Sequence, residues 1–218
     1  FPIFFQQYWS TATDVTVSTW YLGLANSLAS IAVASLAPFL GAIADKASVK
    51  KRLLIFFAFI GIISTGALSM VGQGYWKIAA VFYVVASVGF MSANIFYDSL
   101  LPSVASKQKR DFVSSLGYSL GYIGGGILFL VNVAMYLKPQ FFGIADAPSA
   151  IKLSFLTVAV WWAIFTLPIL IFVKEKAPAN DIGIIKSISA GWIQLLSTLK
   201  RIRELKVVTT FLIAYWLY

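Results

Sequence analysis

Cysteine and histidine are both absent from the 218 residues, and acidic residues number only 8. Without cysteine there is neither a disulfide nor a thiolate metal site. Without histidine the chain lacks the commonest metal ligand and the one side chain that titrates unperturbed near pH 7. Any proton transfer in this stretch must therefore use carboxylates. Charge of either sign is scarce: 11% of residues are charged, where a soluble domain carries about a quarter. The constellations of an enzyme are missing too. No two carboxylates fall in one layer, there is no Ser-His-Asp set, and the glycines at 124–126 follow no strand that would make them a dinucleotide cradle. The sequence thus indicates neither an enzyme nor a cofactor. The chain opens at Phe1 inside an apolar run, without a methionine or a basic n-region. No signal peptide is recognisable, and the chain reads as interrupted at both ends.

What the chain has in abundance is apolar residues, 60% of the total. They form runs of about twenty, the length that crosses ~30 Å of hydrocarbon. Backbone amides in lipid must be satisfied within the segment, so each run is expected to be a helix. The alternation of a membrane β-barrel is not there. Phe1–Phe5 reads as the tail of a first helix and Gln6–Asp14 as a polar connection. Further helices are expected at about Val15–Ala42, Leu53–Val71, Ile78–Leu101, Phe112–Leu137 and Ile151–Val173. The first of these carries small residues at Gly23, Ser27, Ser30, Ala34, Ala37 and Gly41, all on one face, which lets another helix approach closely. Trp161 and Trp162 sit mid-run, away from both interfaces, and read as packing or lipid-facing.

Beyond residue 173 the pattern changes. Residues 174–206 read as a linker. Ile185, Ile188, Trp192, Leu195, Leu199 and Ile202 recur at spacings of 3 and 4, the stripe of an amphipathic helix lying in the membrane interface. A new apolar run begins in 207–218.

The net charge of +9 would suggest nucleic acid in a soluble protein. Here the bases sort by connection. Segments 45–52, 103–111 and 174–206 carry 4, 3 and 7 Lys+Arg, whereas 6–14, 72–77 and 138–152 carry 0, 1 and 2. The alternation places the first three in the cytoplasm of a multi-pass protein, with a bacterial inner or plasma membrane as the expected location. It leaves no reason to invoke nucleic acid. Six helices, a basic linker and the start of a seventh are the layout of half a two-halved transporter.

Polar residues inside the runs are few enough to single out. Asp98 is the one acid within an apolar run, about a turn from its cytoplasmic end, and the basic hairpin at 46–52 is the nearest supply of partners. Tyr83, Ser87, Asn94 and Asp98 form one polar stripe along the fourth run, expected to face the bundle interior. Asn26 and Ser30 on the second run, and Tyr118 and Tyr122 on the fifth, are further candidates for a polar cavity. Gly117, Gly121, Gly124 and Gly125 mark a close-packing face.

The hairpin GAIADKASVKKRLL at 41–54 resembles the loop signature of the major facilitator superfamily through Gly41, Asp45, Lys46, Lys50 and Arg52. Ser48 stands where a second glycine is usual and Val49 where an arginine is usual, which leaves one charge contact without its base. The stretches LAPFLGAIAD (36–45), NIFYDSLLP (94–102), SLGYSLGYIGGG (115–126) and FGIADAPSAIKLSF (142–155) narrow the resemblance. They look like the "unknown major facilitator" family, related to vacuolar amino-acid effluxers. The resemblance implies an all-α membrane bundle, residues 1–173, forming the N-terminal six-helix half with its first helix truncated. It also implies the 174–206 linker and the start of a seventh helix at 207–218. It implies alternating-access transport of a small solute, an amino acid or similar metabolite moved outward, with the proton as candidate coupling ion. Gly41, Asp45, Lys46, Lys50, Arg52 and Asp98 would form a conformational latch. Asn26, Ser30, Ser87, Asn94, Tyr118 and Tyr122 would face the substrate cavity. The rival is a receptor or assembly scaffold that uses the same bundle without transporting.

Overall fold

The computed structural model describes residues 1–46 and 49–175, with Lys186, Ser189, Trp192, Ile193, Ser197, Val207, Thr210 and Ala214 beyond them. Apart from those positions, the expected amphipathic helix and seventh run lie outside the described residues. All the regular structure described is helical. A short helix α1, Pro2–Phe4, runs on as a π-helical turn, Phe5–Trp9. Five long helices follow: α2 (Val15–Lys46), α3 (Lys50–Ala67), α4 (Trp76–Ser99), α5 (Arg110–Leu137) and α6 (Ala147–Phe172). The 24 residues of α4 rise about 36 Å, enough to cross a bilayer, and the shortest span, Lys50–Met70, has 21 residues. The chain is a multi-pass integral membrane protein.

The helices extend past the apolar runs at several ends. The segment expected as a polar connection from Gln6 stays helical to Trp9, because Phe5 and Trp9 bury their rings completely and Trp9 donates its indole N–H to the Val71 carbonyl at 3.3 Å. Lys50, Lys51 and Arg52 belong to the first turn of α3 rather than to the loop.

In packing order the helices run α2, α4, α3, α6, α5. α4 is held between α2 and α3, and α3 also lies against α6. Two clusters close the ends. At the basic end Leu40, Ile43 and Ala44 of α2 meet Leu54 of α3 and Phe96 and Leu100 of α4. At the other end Phe4, Phe5 and Trp9 pack with Leu68, Val71 and Ala79. There the Gly74 amide donates to the Tyr8 carbonyl at 3.0 Å, and Lys152 sits 4.8 Å from the Tyr8 ring centroid. Beyond residue 175, Trp192 stacks on Phe39 near the basic end of α2, with centroids 5.5 Å apart.

The tightest crossing joins α3 to α4. A Cβ placed on Gly89 would lie 2.8 Å from the Phe57 carbonyl oxygen and 2.9 Å from the Gly61 nitrogen. One placed on Gly61 would overlap the Trp162 ring of α6. Three helices therefore meet where two lack side chains, and Trp162 fills the space. By contrast the glycine face expected on α5 is open: nothing lies within 4 Å of a Cβ on Gly121 or Gly125, and Gly117 and Gly124 meet only Tyr97 and Trp161. Of the hydrophobic residues on α5, only Met135 is fully buried.

Asp146 caps α6, accepting from the Ser149 amide at 2.8 Å. The hydrogen bonds from the Ser149 side chain and backbone hold its carboxyl below the usual carboxylate range.

Two outcomes test this packing. Gly89→Ala should lower thermal stability of the purified protein by about 1–3 kcal/mol, the usual penalty of overpacking. Gly125→Ala should leave it unchanged, and equal melting of the two variants would contradict the crossing. The lowered pKa of Asp146 means its cap is fully present above the unfolded pKa of about 3.9. The contribution declines as pH falls from there through the folded value. Amide exchange at Ser149 and Ala150 should lose protection over that window in the native chain, and show none of this dependence in Asp146→Ala.

Candidate functional site

Two of the polar residues of α4 look out on an open groove of about 670 Å³ between α4, α5 and α6. Tyr83 and Ser87 line it, with Gly121, Gly125 and Asn132 of α5 opposite and Trp161 and Trp162 behind. Phe1 occupies one end, stacked on Tyr83 at 4.5 Å. The spacing of Tyr83 and Ser87 keeps both on one side of α4, and Gly121 and Gly125 leave part of the facing wall without side chains.

The other residues singled out from sequence fall in three places. Asn26 of α2 accepts a 2.5 Å hydrogen bond from the Tyr83 hydroxyl, which ties α2 to α4. Ser30 is exposed one turn further along. Asn94 lies with Tyr97, Trp162 and Thr166 around a crevice of about 130 Å³ between α4 and α6. Asp98 accepts from the Tyr118 hydroxyl at 3.0 Å, a polar link from α4 to α5. Tyr122 is 80% exposed and stands clear of that pair. Nearer the opposite end Asn132 accepts from Thr157, which pins α5 to α6 at 2.9 Å.

Around the hairpin, Gly41 lies in the penultimate turn of α2 with open space where a Cβ would go. Asp45 and Lys46 form its last turn, their side chains outside the described residues. Arg52 is exposed. The Lys50 ammonium reaches the Ser99 carbonyl at the end of α4, at 3.5 Å, while Asp98 beside it is engaged by Tyr118. Lys51, one residue on, donates to the carbonyls of Leu170 (2.7 Å) and Val173 (2.8 Å) at the end of α6.

The residue that sequence reasoning passed over is Glu175. It lies just past α6, and its carboxylate accepts from the backbone amides of Lys50 (2.8 Å) and Lys51 (3.3 Å). The start of α3 needs such an acceptor. Its N-cap is Val49, which offers no side-chain hydrogen bond, and its first turn holds three cations and no acid. A missing polar cap costs about 0.5–2 kcal/mol. Cations at the positive end of the helix dipole add to that. The signal was available: an uncapped, wholly cationic first turn, and an acid following a helix that ends at the same side.

Apolar helices of membrane length, joined so that the basic connections share one end, define half of a two-lobed membrane transporter fold. Residues 11–218 match the family described as "Vacuole effluxer Atg22 like". The chain belongs to this family of major facilitator-type transporters. It is 36% identical over 228 residues to an uncharacterized MFS-type transporter, YxiO, of Bacillus subtilis, an alignment that spans 100% of this chain and 51% of the relative. Autophagy-related protein 22 of Saccharomyces cerevisiae is 25% identical over 206 residues, covering 77% of this chain and 38% of the relative. An uncharacterized protein of Aquifex aeolicus is 27% identical over 160 residues, covering 73% and 38%. The chain thus spans about half the length, or less, of the curated relatives it matches. No solved structure matches it.

The Asp98–Tyr118 link gives one expected outcome. Tyr118→Phe and Asp98→Ala should each destabilise and fail to add, with a coupling of about 0.5–1.5 kcal/mol, the net worth of one hydrogen bond. A double-mutant cycle by thermal unfolding that returned additive effects would remove the link.

Proposed function

We propose that this chain is the N-terminal half of a secondary active transporter that moves a small polar solute, an amino acid or similar metabolite, outward by alternating access. Membership of a family described as an effluxer carries the reading. The polar stripe of α4 supports it: Ser87 borders the groove, Asn94 a neighbouring crevice, and Asn26 and Tyr118 bond its two ends through Tyr83 and Asp98. Uncharged hydrogen-bonding groups suit a solute that must bind and leave again. Asn94 is assigned to solute contact because its amide, exposed on α4, has both donors and acceptor available for recognition. Ser30, Ser87 and Tyr122 are assigned to the same route. The connections at 45–52, 103–111 and from 174 are assigned to the cytoplasm, and Gly41, Asp45, Lys46, Lys50, Arg52 and Asp98 to a latch that favours one of two transport states.

Asn94→Leu tests the assignment. In vesicles carrying the full-length transporter, efflux of a radiolabelled amino-acid mixture should fall at least several-fold while membrane expression holds. Asn94→Gln should restore part of it. Efflux at the native rate in Asn94→Leu would take Asn94 out of the solute path.

A further inference from the structure

The ends of α3 and α6 supply each other's missing groups. α6 has no basic residue in its last turn and α3 has no acid in its first. Glu175, following α6, accepts from the first amides of α3. Lys51, in the first turn of α3, donates to the last carbonyls of α6. Each bond joins residues at least 119 positions apart in sequence. We infer that Glu175 and Lys51 form an exchanged cap that fixes the start of α3 to the end of α6, making Glu175 a positioning residue for the basic hairpin.

The geometry is specific. The two Glu175 oxygens take one amide each, from consecutive residues, so the carboxylate is held in the fork that a helix start presents. The Lys51 ammonium bridges Leu170 and Val173, carbonyls that α6 leaves without an intrahelical partner. Lys50 adds a weaker strut to Ser99, so the ends of α4 and α6 are both attached to the first turn of α3. Val49, Ile169 and Val173 pack beside the same joint and keep it partly out of water. Of the charged groups outside the joint at this end, Arg52, Lys107, Lys109 and Lys174 are exposed and Arg110 is half-buried. Trp192 on Phe39 touches the other arm of the hairpin. The chain after α6 therefore contacts both arms, α2 through Phe39 and α3 through its first amides. A displacement of that chain would pass directly to the turn that carries Asp45.

The consequence for transport rests on the latch reading of the hairpin, and the experiment separates the two. These 218 residues contain no cysteine, so labels can be placed cleanly. Arg52→Cys and Lys174→Cys in the full-length protein, its other cysteines removed, carry a spin-label pair across the joint, and the distance distribution is read in nanodiscs. The intact joint should give one narrow distribution. Glu175→Ala and Lys51→Met should each broaden it several-fold, and the double variant should be no broader than the broader single. Glu175→Gln, which keeps one acceptor oxygen, should restore most of the narrow component. An unchanged distribution in monodisperse Glu175→Ala, or additive broadening in the double variant, would overturn the exchanged cap. In parallel, N-ethylmaleimide labelling of Lys107→Cys reads access from the basic side. Glu175→Ala and Asp45→Asn should shift it in the same direction. Broadened distances with unchanged labelling in both would keep the cap and remove the latch.

Discussion

The close approach of α3 and α4 at Gly61 and Gly89 is the constraint on which the bundle is built. Lipid offers no hydrophobic drive for helices to associate, since its tails are as apolar as leucine. Association depends on contact area and on how near the backbones come. With no Cβ at either glycine, the α4 backbone reaches the Phe57 carbonyl and the Gly61 amide. The Trp162 ring then covers Gly61 and meets Phe90 edge to face, with centroids 5.7 Å apart. This one layer sets the positions of α3, α4 and α6, and α2 and α5 attach at its flanks.

The ends are fixed by electrostatics rather than by area. At the basic end, the ammonium groups of Lys50 and Lys51 meet helix C-termini, where the dipole is negative, and the Glu175 carboxylate meets a helix N-terminus, where it is positive. Each of these three side chains reaches the favourable pole of another helix, which offsets the unfavourable placement of Lys50 and Lys51 at the positive end of their own. The basic bias that orients a membrane chain and the groups that join its helices are thus partly the same residues. At the opposite end aromatic rings do the equivalent work. Tyr21 stacks on Trp76 at 3.9 Å, and Trp9 lies between Phe4 and Phe155.

The helices and the sorting of charge could be read from sequence, because hydrocarbon thickness and backbone satisfaction leave few alternatives. Their ends could not be placed as well. Apolarity marks where lipid begins, whereas Lys50–Arg52 and Phe5–Trp9 continue as helix on account of contacts made far away in the chain. Glycines were visible, but not their use. The dense set on α5 fronts an open groove, while the isolated Gly61 and Gly89, which form no run, carry the closest packing. Tyr118 and Asp98 were both recognisable as polar residues in apolar runs. That they bond to each other depends on how α5 crosses α4, which no local pattern encodes. Glu175 looked like an ordinary linker charge for the same reason.

The sparse attachment of α5 has a consequence for the kinds of change this protein can absorb. Its long apolar sides, from Phe112 through Leu130 to Leu137, touch little of the described chain. In an aqueous protein such a surface would cause aggregation, but a hydrocarbon solvent wets it without penalty. Where such a side meets lipid, volume matters little and polarity is decisive. Where it borders the groove or the rest of a two-lobed transporter, shape counts as well, as it does at the buried joint of Gly61, Gly89 and Trp162.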